Sequence, residues 1–157
     1  MTLFHSSSFI VQQPDVCHSR PNLDFGRGFY LTMVREQAAR YAERFVLRGK
    51  PAYVNEYLLD DNLAGFDIKR FDAYDEEWLE YVSACRRGVE PLHRYDVVEG
   101  GVANDKVFNT VDLYFAGVIT KQEALGRLRF ESPNHQICIL NQEILDCHLH
   151  FIKADKL

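Results

Sequence analysis

Phe25-Gly26-Arg27-Gly28-Phe29-Tyr30-Leu31-Thr32 is the stretch on which the reading of the fold turns. Two glycines bracket one residue and lead into aromatic and β-branched types, so a tight turn runs into a strand over Phe29–Thr32. Glycine at both positions also lets the backbone approach another group closely, beyond what core packing would require. Immediately after it, Val34, Ala38, Tyr41, Ala42, Phe45 and Val46 recur at helical spacing among Arg35, Glu36, Arg40, Glu43 and Arg44. That pattern predicts an amphipathic helix from Val34 to Leu47, stopped by Gly49 and Pro51.

Working outward, Thr2–His5 and Phe9–Gln12 read as short extended pieces, with Pro14 and Pro21 holding a loop open before Phe25. On the other side, Ala52–Asp60 reads as a strand, and Leu63–Phe71 as a strand or an irregular excursion. A helix from Asp75 to about Arg87 buries Trp78, and a strand follows over Tyr95–Glu99. Helices over Asn104–Phe115 and Lys121–Leu128 come next, the second opened by Thr120 with Glu123 three residues on, the form of a capping box. Gln136–Leu140 and Leu149–Ile152 close the chain as strands around a helical turn at Gln142–Leu145. Leu149 and Phe151 alternate with His148 and His150, as in a sheet with one buried face. The class is α+β. No linker, repeat or low-complexity tract divides the chain, so residues 1–157 are expected to form a single domain.

At 157 residues, with 11 Phe, 8 Tyr and one Trp, the chain can bury a sizeable core without covalent staples. Its net charge of -5 and lack of a basic run argue against capture of nucleic acid through charge. The four cysteines, Cys17, Cys85, Cys138 and Cys147, form no CxxC pair and are expected as thiols. The start carries no positive region followed by an apolar run, and no window is apolar enough to span a membrane. A cytoplasmic location is therefore expected, with no membrane partner.

Three segments together resemble the ADP-ribosyltransferase superfamily of the diphtheria-toxin and poly(ADP-ribose) polymerase type. Leu3-Phe4-His5-Ser6-Ser7 resembles its first strand, where a His precedes a small residue. Phe25-Gly26-Arg27-Gly28-Phe29-Tyr30 resembles its Phe-Gly-x-Gly-x-Tyr turn and strand, and Ala39 and Tyr41 fit the helix that follows. Asn134-His135-Gln136-Ile137-Cys138-Ile139 resembles the third element, with Gln136 where the superfamily has its catalytic Glu. Over nearly its whole length the chain looks most like a family of small bacterial domains within that superfamily. Leu23-Asp24-Phe25-Gly26, Gln37-Ala38, Val54-Asn55-Glu56-Tyr57, Tyr95-Asp96-Val97-Val98 and Gly101-Val102-Ala103-Asn104-Asp105 carry that likeness.

The resemblance implies a split β-sheet core with flanking helices, holding NAD as substrate. The expected activity is cleavage of the nicotinamide–ribose bond and transfer of ADP-ribose to an acceptor macromolecule. It also implies a toxin–antitoxin-like setting, with a small antitoxin-like protein as partner. By the same resemblance His5, Tyr30 and Gln136 form the triad: His5 bonds the adenosine-side ribose, Tyr30 and Tyr41 sandwich the nicotinamide, and Gln136 accepts from the nicotinamide ribose. The backbone of Ser6 would pair with the carboxamide, while Gly28, Phe29, Thr32, Ala38 and Asn55 complete the expected binding set. Asn55 has a second reading, satisfying a neighbouring loop. Glu131 either helps activate the acceptor or is a solvated loop charge, and Asn104 either polarises a hydroxyl or caps a helix. An amide at position 136 can accept a hydrogen bond but carries no charge to stabilise an oxocarbenium-like state, so a catalytically weak or silent nucleotide-binding or protein-interaction module is the alternative.

Other chemistries find less in the sequence. Cys147-His148-Leu149-His150 and Cys17-His18 match no common zinc spacing, and no cysteine lies in a motif that would activate it. No GxxxxGK[ST] loop is present, and Gly26-Arg27-Gly28 lacks the third glycine of a Rossmann turn.

Overall fold

A computed structural model describes residues 1–157. The order of elements is β1 (Thr2–Ser7), β2 (Phe29–Leu31), α1 (Arg35–Leu47), β3 (Tyr53–Leu59), β4 (Ile68–Arg70), α2 (Glu76–Arg87), β5 (Val97–Gly101), α3 (Asp105–Phe115), α4 (Lys121–Leu128), β6 (His135–Ile139), α5 (Gln142–Cys147) and β7 (Leu149–Lys156). The architecture is mixed α+β. One sheet has the order β1-β3-β7 and the other β2-β6-β5-β4. All pairings are antiparallel except β4 with β5. The two sheets meet at a single bridge, where Phe4 N donates to Thr32 O at 2.8 Å and Thr32 N to Phe4 O at 2.9 Å.

Strand alternation sorts the apolar residues into two cores. Leu3 and Tyr57 from the first sheet meet Phe29, Leu31, Ile137 and Ile139 from the second, filling the space between the sheets. On the other face of the second sheet, Val98 and Cys138 pack with Phe25 against Trp78, Leu79, Val107 and Leu128 of the helices. β2 is only three residues long yet serves both cores, with Phe29 and Leu31 in one and Tyr30 against the other. α1 lies on β1 and β3 through Ala38 and Ala42, side chains small enough for close approach.

The helix ends follow from their capping chemistry. Asp75 accepts from Trp78 N at the start of α2, and Gly88 closes that helix in the left-handed region at φ 67. Trp78 is completely buried, and its indole N–H donates to Gly101 O at 2.8 Å, so the polar tip of the largest core side chain is satisfied. The capping box of Thr120 and Glu123 forms as read, and Asn104 caps α3 by accepting from Val107 N. No helix is long and apolar enough to cross a membrane.

Four expectations change. Phe9–Gln12 is a loop, because its backbone is held by side chains: Asn55 Oδ1 accepts from Val11 N and the Tyr57 hydroxyl donates to Val11 O. Leu63–Phe71 contributes only Ile68–Arg70 as strand, and β5 runs from Val97 to Gly101. β7 extends to Lys156, since β3 offers it a partner along its whole length.

Gly28 is fixed by packing, contrary to the reading that core packing makes no demand there. A Cβ at this position would stand 2.6 Å from Cys138 Sγ and 2.7 Å from the Ile139 carbonyl oxygen. Gly28→Ala is therefore expected to destabilise the protein by about 2 kcal/mol or more in urea unfolding, since β6 must shift to admit the methyl group. Gly126→Ala, inside α4 with nothing within 4 Å of the new carbon, is expected to stabilise it by about 1 kcal/mol.

Candidate functional site

β1 and β2 come together at the seam between the sheets, and two of the three triad residues meet there. His5 Nδ1 lies 2.8 Å from the backbone oxygen of Tyr30. A carbonyl can only accept, so Nδ1 carries the proton and Nε2 of the neutral ring presents a lone pair. The imidazole lies over Phe29 at 4.3 Å between ring centroids, and it is half-buried. Burial holds its pKa below the ordinary 6.5, outweighing the opposite effect of the Tyr30 carbonyl. His5 is thus a neutral, oriented hydrogen-bond acceptor at physiological pH.

The Tyr30 side chain takes the other direction. Its hydroxyl donates to Gly26 O at 2.6 Å and accepts from Phe25 N at 3.1 Å, and its ring stacks on Phe25 at 6.4 Å. Burial is the main reason its phenol is pushed far up, and it stays protonated. The preceding loop is anchored in turn by Asp24, whose carboxylate binds Arg86 at 2.6 Å and accepts from Ala103 N at 2.9 Å. Arg86 itself lies 3.9 Å from the Phe108 ring centroid.

Gln136 stands on β6 opposite Gly100, half-buried and two residues before Cys138, the cross-strand partner of Tyr30. Alternation puts Gln136 on the Tyr30 face, at a diagonal spacing of roughly 7 Å between backbones. One further step of the β2–β6 register brings it beside Thr32. The structure therefore joins His5 to the Tyr30 backbone and Gln136 to the Tyr30 face, but sends the imidazole and the phenol into different cores.

The other expected site residues divide. Ser6, Thr32 and Ala38 gather at the seam: Ser6 Oγ donates to the Ala38 carbonyl, and Thr32 Oγ1 donates to Gln37 Oε1 at 2.8 Å while accepting from Val34 N. Tyr41 is 44% exposed on α1, with the Arg44 guanidinium 4.5 Å from its ring centre and Phe45 beside it. Tyr30 and Tyr41 do not face each other across a slot, because Tyr30 is committed to Phe25 and Gly26. Phe29 is a wall of the inter-sheet core, and Gly28 abuts β6. Asn55 is completely buried, accepts from Val11 N and donates to Phe9 O at 3.2 Å, so the loop-satisfying alternative describes it and it leaves the binding set. Glu131 lines a separate cleft of about 610 Å³ with Tyr74, Arg129 and Pro133. Burial chiefly, then the carboxylates of Asp24 and Glu131, push the Tyr74 phenol up. None of the triad lines that cleft.

Gln37 and Arg86 support the site although no site role was expected of either, Gln37 having carried only part of the family likeness. Gln37 stands in the first turn of α1, five residues after Thr32, within reach of its hydroxyl. Arg86 offered only a weak signal, a charge beside the buried Cys85 near the end of an amphipathic helix.

A mixed α+β chain whose sheets are joined at one seam, with a neutral imidazole fixed there by the backbone of a clamped tyrosine, is the class of protein defined so far. The model of a family described as protein of unknown function (DUF3990) matches residues 1–151, and the chain belongs to that family. No curated protein and no solved structure matches the chain.

The depressed His5 pKa gives a signed pH dependence. Between the folded-state value and 6.5 the unfolded chain binds more protons, so stability rises with pH through that window and is lost as pH falls through it. His5→Gln is expected to flatten this part of the profile. Urea unfolding of both proteins at a series of pH values checks it, and parallel profiles would contradict the assignment.

Proposed function

We propose that this protein binds NAD at the seam and is an ADP-ribosyltransferase on a split-sheet fold, acting in the bacterial cytoplasm with a small antitoxin-like protein as its partner. The observation that carries the reading is the His5 imidazole, whose Nδ1 bond to the Tyr30 carbonyl leaves Nε2 free to accept from a ribose hydroxyl. The resemblance of Leu3–Ser7, Phe25–Tyr30 and Asn134–Ile139 to the superfamily's three motifs supports it.

The chemistry follows from what the residues can do. Cleavage breaks the bond between ribose C1′ and the nicotinamide nitrogen; the bonding pair goes to the nitrogen, neutralising the pyridinium, and the sugar develops oxocarbenium charge. The acceptor then bonds to C1′ and loses a proton. His5 Nε2 would hold the adenosine ribose, the Ser6 backbone would meet the carboxamide, and the exposed Tyr41 ring would supply a stacking face. Tyr30 would act from behind, fixing His5 through its carbonyl. Gln136 would accept from a hydroxyl of the nicotinamide ribose. A carboxylate about 4 Å from the developing charge would contribute on the order of 4 kcal/mol at an effective dielectric of about 20, which the amide lacks.

The uncharged Gln136 favours a second reading in which NAD is bound but not turned over. Calorimetric titration with NAD and assay of released nicotinamide separate the two. Binding in the millimolar range or tighter is expected, weakened about tenfold or more by His5→Ala and by Tyr41→Ala. Gln136→Glu is expected to raise nicotinamide release about tenfold or more. Binding without release in either form would leave the second reading, and no binding at millimolar NAD would overturn both.

A further inference from the structure

A cleft of about 690 Å³ opens at the opposite end of β2 from the seam. Phe29 pairs with Ile139, so the residues entering β2 and those leaving β6 share one end of the sheet, while Thr32 and Gln136 share the other. The volume falls in the range of small-molecule sites, roughly 300–1,000 Å³.

The inner wall is aromatic. The Tyr81 ring lies 6.5 Å from Phe25 and 5.9 Å from Tyr95, tilted by 50° to each. Cys85 completes this wall; burial pushes its thiol up to about 11, so it is neutral and unreactive. Such a surface suits a flat, π-rich ring.

Two opposite charges remain for a ligand to meet. Asp96 accepts from Asp67 N at 2.7 Å and from Asn141 Nδ2 at 2.9 Å, one bond to each oxygen, which leaves acceptor capacity on both. At the mouth, Arg94 spends its guanidinium on Glu90, whereas Arg27 is exposed and pairs with no carboxylate. The site therefore offers an aromatic wall, an acceptor for a donor-bearing ring edge, and one uncompensated cation.

We infer that this cleft binds a nucleoside monophosphate: the base stacks on one of the Tyr81 and Tyr95 rings and meets the other at an angle, its exocyclic amine donates to Asp96, and its phosphate meets Arg27. The single free guanidinium matches one phosphate group, which arginine grips through two parallel hydrogen bonds. Phe25 is shared between this wall and the Tyr30 ring, so occupancy reaches the clamp behind the seam. The inference stands apart from the NAD reading of the seam.

Titration of the full chain with adenosine 5′-monophosphate, followed by backbone amide resonances, tests it. Saturable shifts are expected at Gly26, Gly88 and Leu140. Arg27→Ala, adenosine without phosphate, and the purine monophosphate lacking the exocyclic amine are each expected to weaken the apparent Kd by about tenfold. Absence of shifts at millimolar nucleotide, or an affinity that ignores Arg27→Ala, overturns the inference. Shifts at Ser6 and Thr32 in place of Gly26 and Gly88 also overturn it, and they leave the nucleotide reading of the seam standing.

Discussion

The hydrogen bond from His5 Nδ1 to the Tyr30 carbonyl, together with the paired Phe4 and Thr32 backbones beside it, joins the two sheets at the seam, at the edge of the apolar core packed between them. Everything else at the seam depends on it. The bond selects the imidazole tautomer, sets the ring plane against Phe29, and directs the Nε2 lone pair. Because the ring is half-buried, charging it is unfavourable, and the acceptor character persists near neutral pH. A three-residue strand can serve this purpose only if both of its faces are packed, which the two cores accomplish.

The Tyr30 phenol secures the same arrangement from behind. Its two hydrogen bonds close the Phe25–Gly26 turn upon it, and Asp24 ties that turn to Arg86 of α2 and to the backbone before α3. Gly28 then brings the chain against Cys138 and Ile139 so closely that any side chain there would push β2 and β6 apart. The turn is thus a structural clamp, and its effect on chemistry passes through the position of the Tyr30 backbone.

Much of this was legible in the sequence where local chemistry and tertiary packing agree. The apolar spacing of Val34–Leu47, the Thr120 and Glu123 capping box, the Asn104 cap and the helix beginning at Asp75 all appear in the structure near their expected places. Phe9–Gln12 has the composition of an extended piece, but Asn55 and Tyr57, over forty residues away, satisfy its backbone, and no local pattern records that. β7 outruns its alternating signal because strand length is set by the partner, here β3. At the site, the motif expects the His5 and Tyr30 side chains in one triad, whereas the imidazole meets only the Tyr30 backbone. The direction of the Tyr30 ring was not legible, since it depends on Phe25 and the helix-covered core rather than on strand propensity. Asn55, in an apolar strand, reads either as a ligand-binding residue or as the partner of a neighbouring loop, and its amide is consumed by that loop.

The imidazole at the seam and the uncharged Gln136 carboxamide on the Tyr30 face of β6 can each accept a hydrogen bond, and neither places a negative charge there. Nitrogen-15 resonances of the His5 ring, followed with pH and with added NAD, test that account most directly. It predicts a neutral ring protonated at Nδ1 at pH 7 and resistant to protonation down to values below 6.5, with Nε2 alone shifting when NAD is added. A ring protonated at Nε2, or one whose resonances ignore saturating NAD, would contradict it.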